Sequence, residues 1–169
     1  MDAAAESNAA LERARAAGFV RLHIPTPFAV GRVNCWLVED EPLTLIDTGP
    51  NSGKSLDELE RQLAAAGYAI EDLELIVLTH QHVDHTGLAE IVSHRSGAEV
   101  AALGAAARRL ANYAEDAERE DRFAAQLMLR HGVPEDVVTA LVSVSQSFRA
   151  WGSHVTVTRP LADGGLVRL

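Results

Sequence analysis

The sequence predicts a mixed α/β (α+β) fold, and three observations predict it. Apolar residues gather in short strand-like runs bounded by prolines and polar turns; elsewhere they recur at helical spacing and stop at a glycine; and a strand, a helix and a strand follow one another through residues 75–103. The last pattern implies a crossover unit with parallel strands.

Taken in order, residues 8–17 carry enough alanine and arginine for a short helix. Phe19-Val20-Arg21-Leu22-His23-Ile24 alternates apolar and polar side chains until Pro25 and Pro27 interrupt it, which is a strand and a loop. Residues 33–38 and 43–46 flank the polar connection Glu39-Asp40-Glu41-Pro42 and predict two antiparallel strands. After Asp47-Thr48-Gly49-Pro50-Asn51, the spacing of Leu56, Leu59, Leu63 and Ala66 predicts a helix over 55–66 with Gly67 just past its end. Leu75-Ile76-Val77-Leu78 is a continuously apolar buried strand; residues 86–94 form a helix closed by Ser96-Gly97; residues 99–103 form the next strand. Residues 104–150 read as wholly helical, with one apolar face at Leu110, Tyr113, Ala114 and Ala117 and another at Val137, Leu141, Val144 and Phe148, after the break at Gly132-Val133-Pro134. The charge run over 115–122 is expected to be a solvated face. Strand character resumes at 155–157 and, beyond a turn at Asp163-Gly164-Gly165, at 166–169.

At 169 residues, 47% hydrophobic and 23% charged, the chain is long enough for one core. Residues 1–18 are an N-terminal extension, and 19–169 form a single domain portion that includes a helical insertion at 104–150. A net charge of −9 argues against a nucleic-acid partner and leaves a small-molecule substrate as the expectation. No run of about 18 apolar residues and no basic-then-apolar leader is present, so no membrane association and a cytoplasmic location are expected. The single Cys35 cannot form an intramolecular disulfide and sits where a buried thiol is expected. Oligomeric state does not follow from these features.

The chemistry concentrates in His80-Gln81-His82-Val83-Asp84-His85, on the loop leaving the strand at 75–78. Side chains alternate along an extended segment, so His80 and His82 project to one side and can reach one cation at about 2 Å. Asp84 and His85 follow where the chain turns into a helix and can be aimed at a second cation. Two divalent ions about 3.5–4 Å apart can share a water and lower its pKa toward about 7. Asp84, a carboxylate among imidazoles, can both ligate and hydrogen-bond that water, which makes it the catalytic candidate.

Thr79-His80-Gln81-His82-Val83-Asp84-His85-Thr86-Gly87 resembles the signature of the metallo-β-lactamase superfamily, and Leu45-Ile46-Asp47-Thr48-Gly49 resembles the strand-end motif that precedes it there. The resemblance implies an αββα sandwich. It implies His80 and His82 on a first metal, Asp84 and His85 on a second, and Asp47 behind the loop, hydrogen-bonded to a ligand or its backbone. The ions implied are two divalent cations, zinc first, with iron or manganese as alternatives. His85 draws the resemblance toward the glyoxalase II-like and lactonase-like branches. It covers residues 19–103 well and the helical insertion loosely. The family's later ligands, a Pro-Gly-His-type histidine, a bridging aspartate and a last histidine, have no counterpart here, so the chain is expected to be the N-terminal part of the fold, with the second half of the sandwich missing.

The activity implied is that of a metal-dependent hydrolase whose metal-bound hydroxide attacks an ester, thioester, lactone or amide-like carbonyl. The alternatives are an inactive or partial metal-binding homologue, an iron persulfide dioxygenase, and a nuclease of the same superfamily. His131 and His154 lack the expected flanking residues and are assigned to the surface; His23, in a strand, and His94, at a helix end, are also left out of the site. Gly49-Pro50-Asn51-Ser52-Gly53-Lys54-Ser55 imitates a phosphate loop, but it is one residue short between its first glycine and the Gly-Lys pair. Helix capping explains it.

Overall fold

The computed structural model describes residues 3–168. Six strands form one sheet in sequence order, β1 (Phe19–Ile24), β2 (Val33–Val38), β3 (Thr44–Ile46), β4 (Leu75–Leu78), β5 (Glu99–Leu103) and β6 (Arg159–Leu161). The first three pair antiparallel and the last four parallel. The helices are α1 (Ala3–Ala16), α2 (Gly53–Ala66), α3 (Val83–Thr86), α4 (Ala89–Ser96), α5 (Gly104–Ala111), α6 (Tyr113–Arg130) and α7 (Glu135–Phe148), with 3-10 turns at Ile70–Asp72 and Arg149–Trp151. Each parallel step is bridged by helix: α2 between β3 and β4, α3 and α4 between β4 and β5, and α5 to α7 between β5 and β6.

Register explains the core. Leu37, Leu45, Ile76 and Val100 stand opposite one another across four strands and are all essentially inaccessible. They share one cluster with Leu59 and Leu63 of α2 and Val92 of α4. Each such side chain contributes about 1.5–3 kcal/mol by leaving water. One residue along, on the other face of the sheet, Trp36, Ile46 and Val77 form a second apolar row that stays only half-buried. Cys35, on the core face, is fully buried, and that burial pushes its thiol pKa up.

Local chemistry sets the boundaries of α2. Ser52 adopts an extended conformation and its Oγ accepts from Ser55 N at 3.1 Å, while Gly67 takes the left-handed conformation (φ 94°) and donates its N–H back into the last turn. Gly53-Lys54-Ser55 is therefore the first turn of α2, capped by Ser52.

Four sequence expectations need correction. The helix predicted over 86–94 is two, α3 and α4, because Leu88 N donates to Gly49 O at 3.1 Å instead of continuing the helical ladder. No strand forms at 155–157: Val155 N donates to Leu110 O, which ties this segment to α5, and pairing with β5 starts only at Thr158, whose hydroxyl accepts from Val100 N at 2.8 Å. Residues 166–168 are not strand either, and Leu169 lies outside the described residues. The charge run over 115–122 is not simply solvated. Asp121 accepts from Ser145 Oγ at 2.7 Å and from Arg149, so it joins α6 to α7 and the turn beyond it.

Candidate metal centre

The loop after β4 is tied to the end of β3. Thr48 donates twice to His85 O, from its N–H at 2.8 Å and from its hydroxyl at 3.0 Å, and the His82 carbonyl accepts from His85 N and Thr86 N. These bonds anchor the His82 and His85 carbonyls and hold Asp84 and His85 within the single turn of α3.

At the centre stands Asp47, 4% exposed and in the left-handed region (φ 58°), where a residue other than glycine is strained. Its Oδ1 accepts from Thr79 N at 2.9 Å; its Oδ2 accepts from Thr79 Oγ1 at 2.7 Å and pairs with His85 Nδ1 at 2.8 Å. The carboxylate can only accept, so Nδ1 of His85 carries the proton and Nε2 presents a lone pair. The same logic fixes His80: the Thr79 hydroxyl proton is committed to Asp47, so His80 Nδ1, 2.9 Å from Thr79 Oγ1, is the donor there. Both imidazoles thus offer Nε2 to a cation.

The site residues are gathered as follows. Asp47, His80 and His85 hold ligand-type atoms within 4.8 Å of one another. The His80 ring centroid lies 4.6 Å from that of His82 and 4.3 Å from that of His85, and Asp84 Oδ2 is 3.7 Å from His85 Nε2. Although Asp47 belongs to the tightest group, its oxygens already take three hydrogen bonds, so it orients rings more readily than it binds an ion. Hydrogen bonding to Asp47 holds the His85 pKa above its usual 6.5, while burial and the neighbouring His85 and His82 lower that of His80. His82 and Asp84 stand outside the group whose ligand atoms lie within 4.8 Å of one another; by donor type alone, three imidazoles and one carboxylate suit a first-row divalent ion such as zinc.

Beside this cluster opens a cavity of about 510 Å³. His82 and Asp84 border it on one side, Phe28 and Val30 of the β1–β2 loop on another, and Leu110, Tyr113 and Phe148 of the helical segment on the third. Neither the β1–β2 loop nor Thr79, which opens the histidine motif, announces its role in the sequence. A proline-flanked phenylalanine carries no recognisable signal, and a threonine beside the histidines is informative only once Asp47 is seen to face it. The remaining histidines stay apart: His23, His94, His131 and His154 are exposed, the last 3.9 Å from Glu90.

Comparison with known proteins gives the family and the fold. The family model described as "Metallo-beta-lactamase superfamily" matches residues 29–158. The Bacillus subtilis protein named "Probable metallo-hydrolase YqjP" is 33% identical over 147 residues, which are 86% of this chain and 44% of that protein. Among solved structures, the metallo-beta-lactamase family protein TTHA1429 from Thermus thermophilus aligns over 90% of this chain and 48% of its own, with 27% identity and a TM-score of 0.66. The class B3 di-zinc metallo-beta-lactamase LRA-12, from an Alaskan soil metagenome, shares the fold at 16% identity and a TM-score of 0.59, over 90% of this chain and 46% of its own. The chain spans less than half the length of each of these relatives.

Proposed function

The chain belongs to the metallo-beta-lactamase superfamily, and from that premise we propose that it carries the metal-binding part of a hydrolase acting on an ester, thioester, lactone or amide-like carbonyl. The observation that carries this is the Asp47 relay, which commits Nδ1 of both His80 and His85 to hydrogen bonds and leaves each Nε2 free. His80 and His82 would hold one ion, and Asp84 and His85 the other. Two divalent ions, zinc first, would supply water ionisable near neutrality and polarise the carbonyl.

The protein's own share of the work is positioning. Asp47 and Thr79 fix the two ring orientations. Asp84 borders both the histidine cluster and the cavity, so its carboxylate can accept a hydrogen bond from the attacking water and take its proton. The cavity would hold the reacting carbonyl against His82 and Asp84. A cavity of this size suits a small-molecule substrate. Among the described residues no helix is long and apolar enough to cross a membrane.

The test pairs metal content with turnover of an ester and thioester panel. The wild type is expected to bind close to two zinc ions and to hydrolyse at least one substrate; Asp84→Ala is expected to lose turnover and one ion. Undiminished hydrolysis by Asp84→Ala would remove its assigned role, and tight metal binding without any turnover would favour a partial, non-catalytic homologue.

A further inference from the structure

We propose that the turn closing the helical segment, Arg149 to Ser153, is a strap that positions the metal-binding loop, with Ser153 and Tyr113 as its positioning residues. The inference rests on the metal-site reading above and extends it to residues outside the ligand set.

The loop needs such a strap. Asp84 and His85 sit on α3, a helix of four residues, and one helical turn is too short to hold its own shape in water, so tertiary bonds must set where these two side chains point. From the end of β3, Thr48 takes the His85 carbonyl. From the helical segment, Ser153 takes the carbonyl at the end of α3: its Oγ donates to Gly87 O at 3.0 Å, across 66 positions of sequence. Trp151 O, which accepts from Asn51 N at 2.8 Å, packs against the same glycine.

The strap is itself fastened. Tyr113, the first residue of α6, donates its hydroxyl to Arg149 O at 3.2 Å, and its ring lies against Gly152, where a Cβ would overlap Cζ and Oη of the tyrosine. Gly152 is extended (φ −103°, ψ 170°), so the glycine serves space and not conformation. Burial raises the Tyr113 phenol pKa, so the hydroxyl keeps the proton it donates at neutral pH. Arg149 holds α6 less completely than its charge suggests. One terminal nitrogen pairs with Asp121, but Nε is buried with no partner among the described residues, and an unpaired buried donor costs stability. Tyr113 thus fastens a turn whose arginine is only partly satisfied. Its ring also lines the cavity beside His82 and Asp84, so one residue joins the cavity wall to the strap.

A loop already held in place binds its ion without first having to be ordered. Cutting the strap moves that ordering cost into metal binding, and affinity falls although no ligand is altered. A residue that only stabilises the fold lowers Tm and leaves affinity where it was.

Ser153→Ala, Ser153→Thr and Tyr113→Phe test this beside the wild type and Gly67→Ala, a control for lost stability at a position with nothing within 4 Å. Hydrogen exchange of the His85, Thr86 and Gly87 amides, all bonded within the α3 turn, is followed in the metal-free proteins, and zinc affinity is measured by chelator competition. In Ser153→Ala these amides are expected to exchange, and zinc affinity to fall, by at least about fivefold, the effect of one hydrogen bond. Ser153→Thr keeps a hydroxyl and is expected to restore both to within about twofold of wild type, while Tyr113→Phe shifts both in the same direction as Ser153→Ala by at least about twofold. Gly67→Ala is expected to lower Tm with neither change. Unchanged zinc affinity in Ser153→Ala, beside a wild type that binds zinc, overturns the strap and leaves the metal-site reading in place. Losses in Ser153→Thr or Gly67→Ala equal to those of Ser153→Ala also overturn it. Faster exchange in Ser153→Ala and Tyr113→Phe, with zinc bound by none of the proteins, supports the strap and counts against the metal-site reading.

Discussion

Asp47 Oδ2 and His85 Nδ1 are 2.8 Å apart across 38 positions of sequence, and this bond joins the end of β3 to the single turn of α3. It decides which nitrogen of His85 faces outward, and the same carboxylate decides it for His80 by way of Thr79. Asp47→Asn tests the relay with little change of shape. The asparagine nitrogen cannot accept, so either Thr79 N or both Thr79 Oγ1 and His85 Nδ1 lose their acceptor; the relay is weakened, and zinc affinity measured by chelator competition is expected to fall about 10–100-fold. In the metal-free protein the His85 pKa, followed by NMR, is expected to drop, since the hydrogen bond to Asp47 is the main cause holding it up. A fall in affinity with the His85 titration unmoved would point to a general structural role instead.

The four proposed ligands were legible in the sequence because they lie within six consecutive positions, where local geometry alone limits what they can do. The fold was legible for a similar reason: Leu75-Ile76-Val77-Leu78 and the Leu56, Leu59 and Leu63 spacing each declare one element without help from the rest of the chain. What stayed hidden depends on distant partners. The break between α3 and α4 comes from Gly49 O capturing Leu88 N, and no residue near position 88 announces it. Val155 looks like a strand residue, but its N–H is taken by Leu110 O, 45 positions away, and the strand starts later. Phe28 and Phe148 meet in the cavity wall only because the helical segment folds back over the β1–β2 loop.

Gly87 is the tightest junction between these parts. Its backbone is ordinary right-handed helix (φ −58°, ψ −37°), so conformation does not require glycine. Space does: a Cβ would overlap Asn51 N and Trp151 O, which hydrogen-bond to each other at 2.8 Å directly beside it. Gly87→Ala must therefore push the metal-binding loop away from the turn that closes the helical segment. The expected cost is about 1–3 kcal/mol in denaturant unfolding, with weaker zinc binding besides. Gly67→Ala offers a contrast, because nothing lies within 4 Å of that position and its positive φ alone is strained; it should cost stability without touching zinc affinity.

Acid stability should depend on Glu58, far from the metal centre. Its pKa is lowered to about 2, chiefly by the hydrogen bond from Arg61, with Arg32 and Gln62 adding to it. Gln62 also donates to His23 O at 3.0 Å and accepts from His23 N at 2.8 Å, so this network fastens α2 to the edge strand β1. A carboxylate whose pKa is depressed on folding contributes stability that is fully present above its unfolded value of about 4.3 and is lost as pH falls through the folded value. The wild type is therefore expected to lose Tm progressively between about pH 4.5 and 2, and Glu58→Gln, which has no proton to gain, should start lower at neutral pH and decline less over that interval. Parallel Tm profiles for the two proteins across that range would show that the network adds nothing to the folded state.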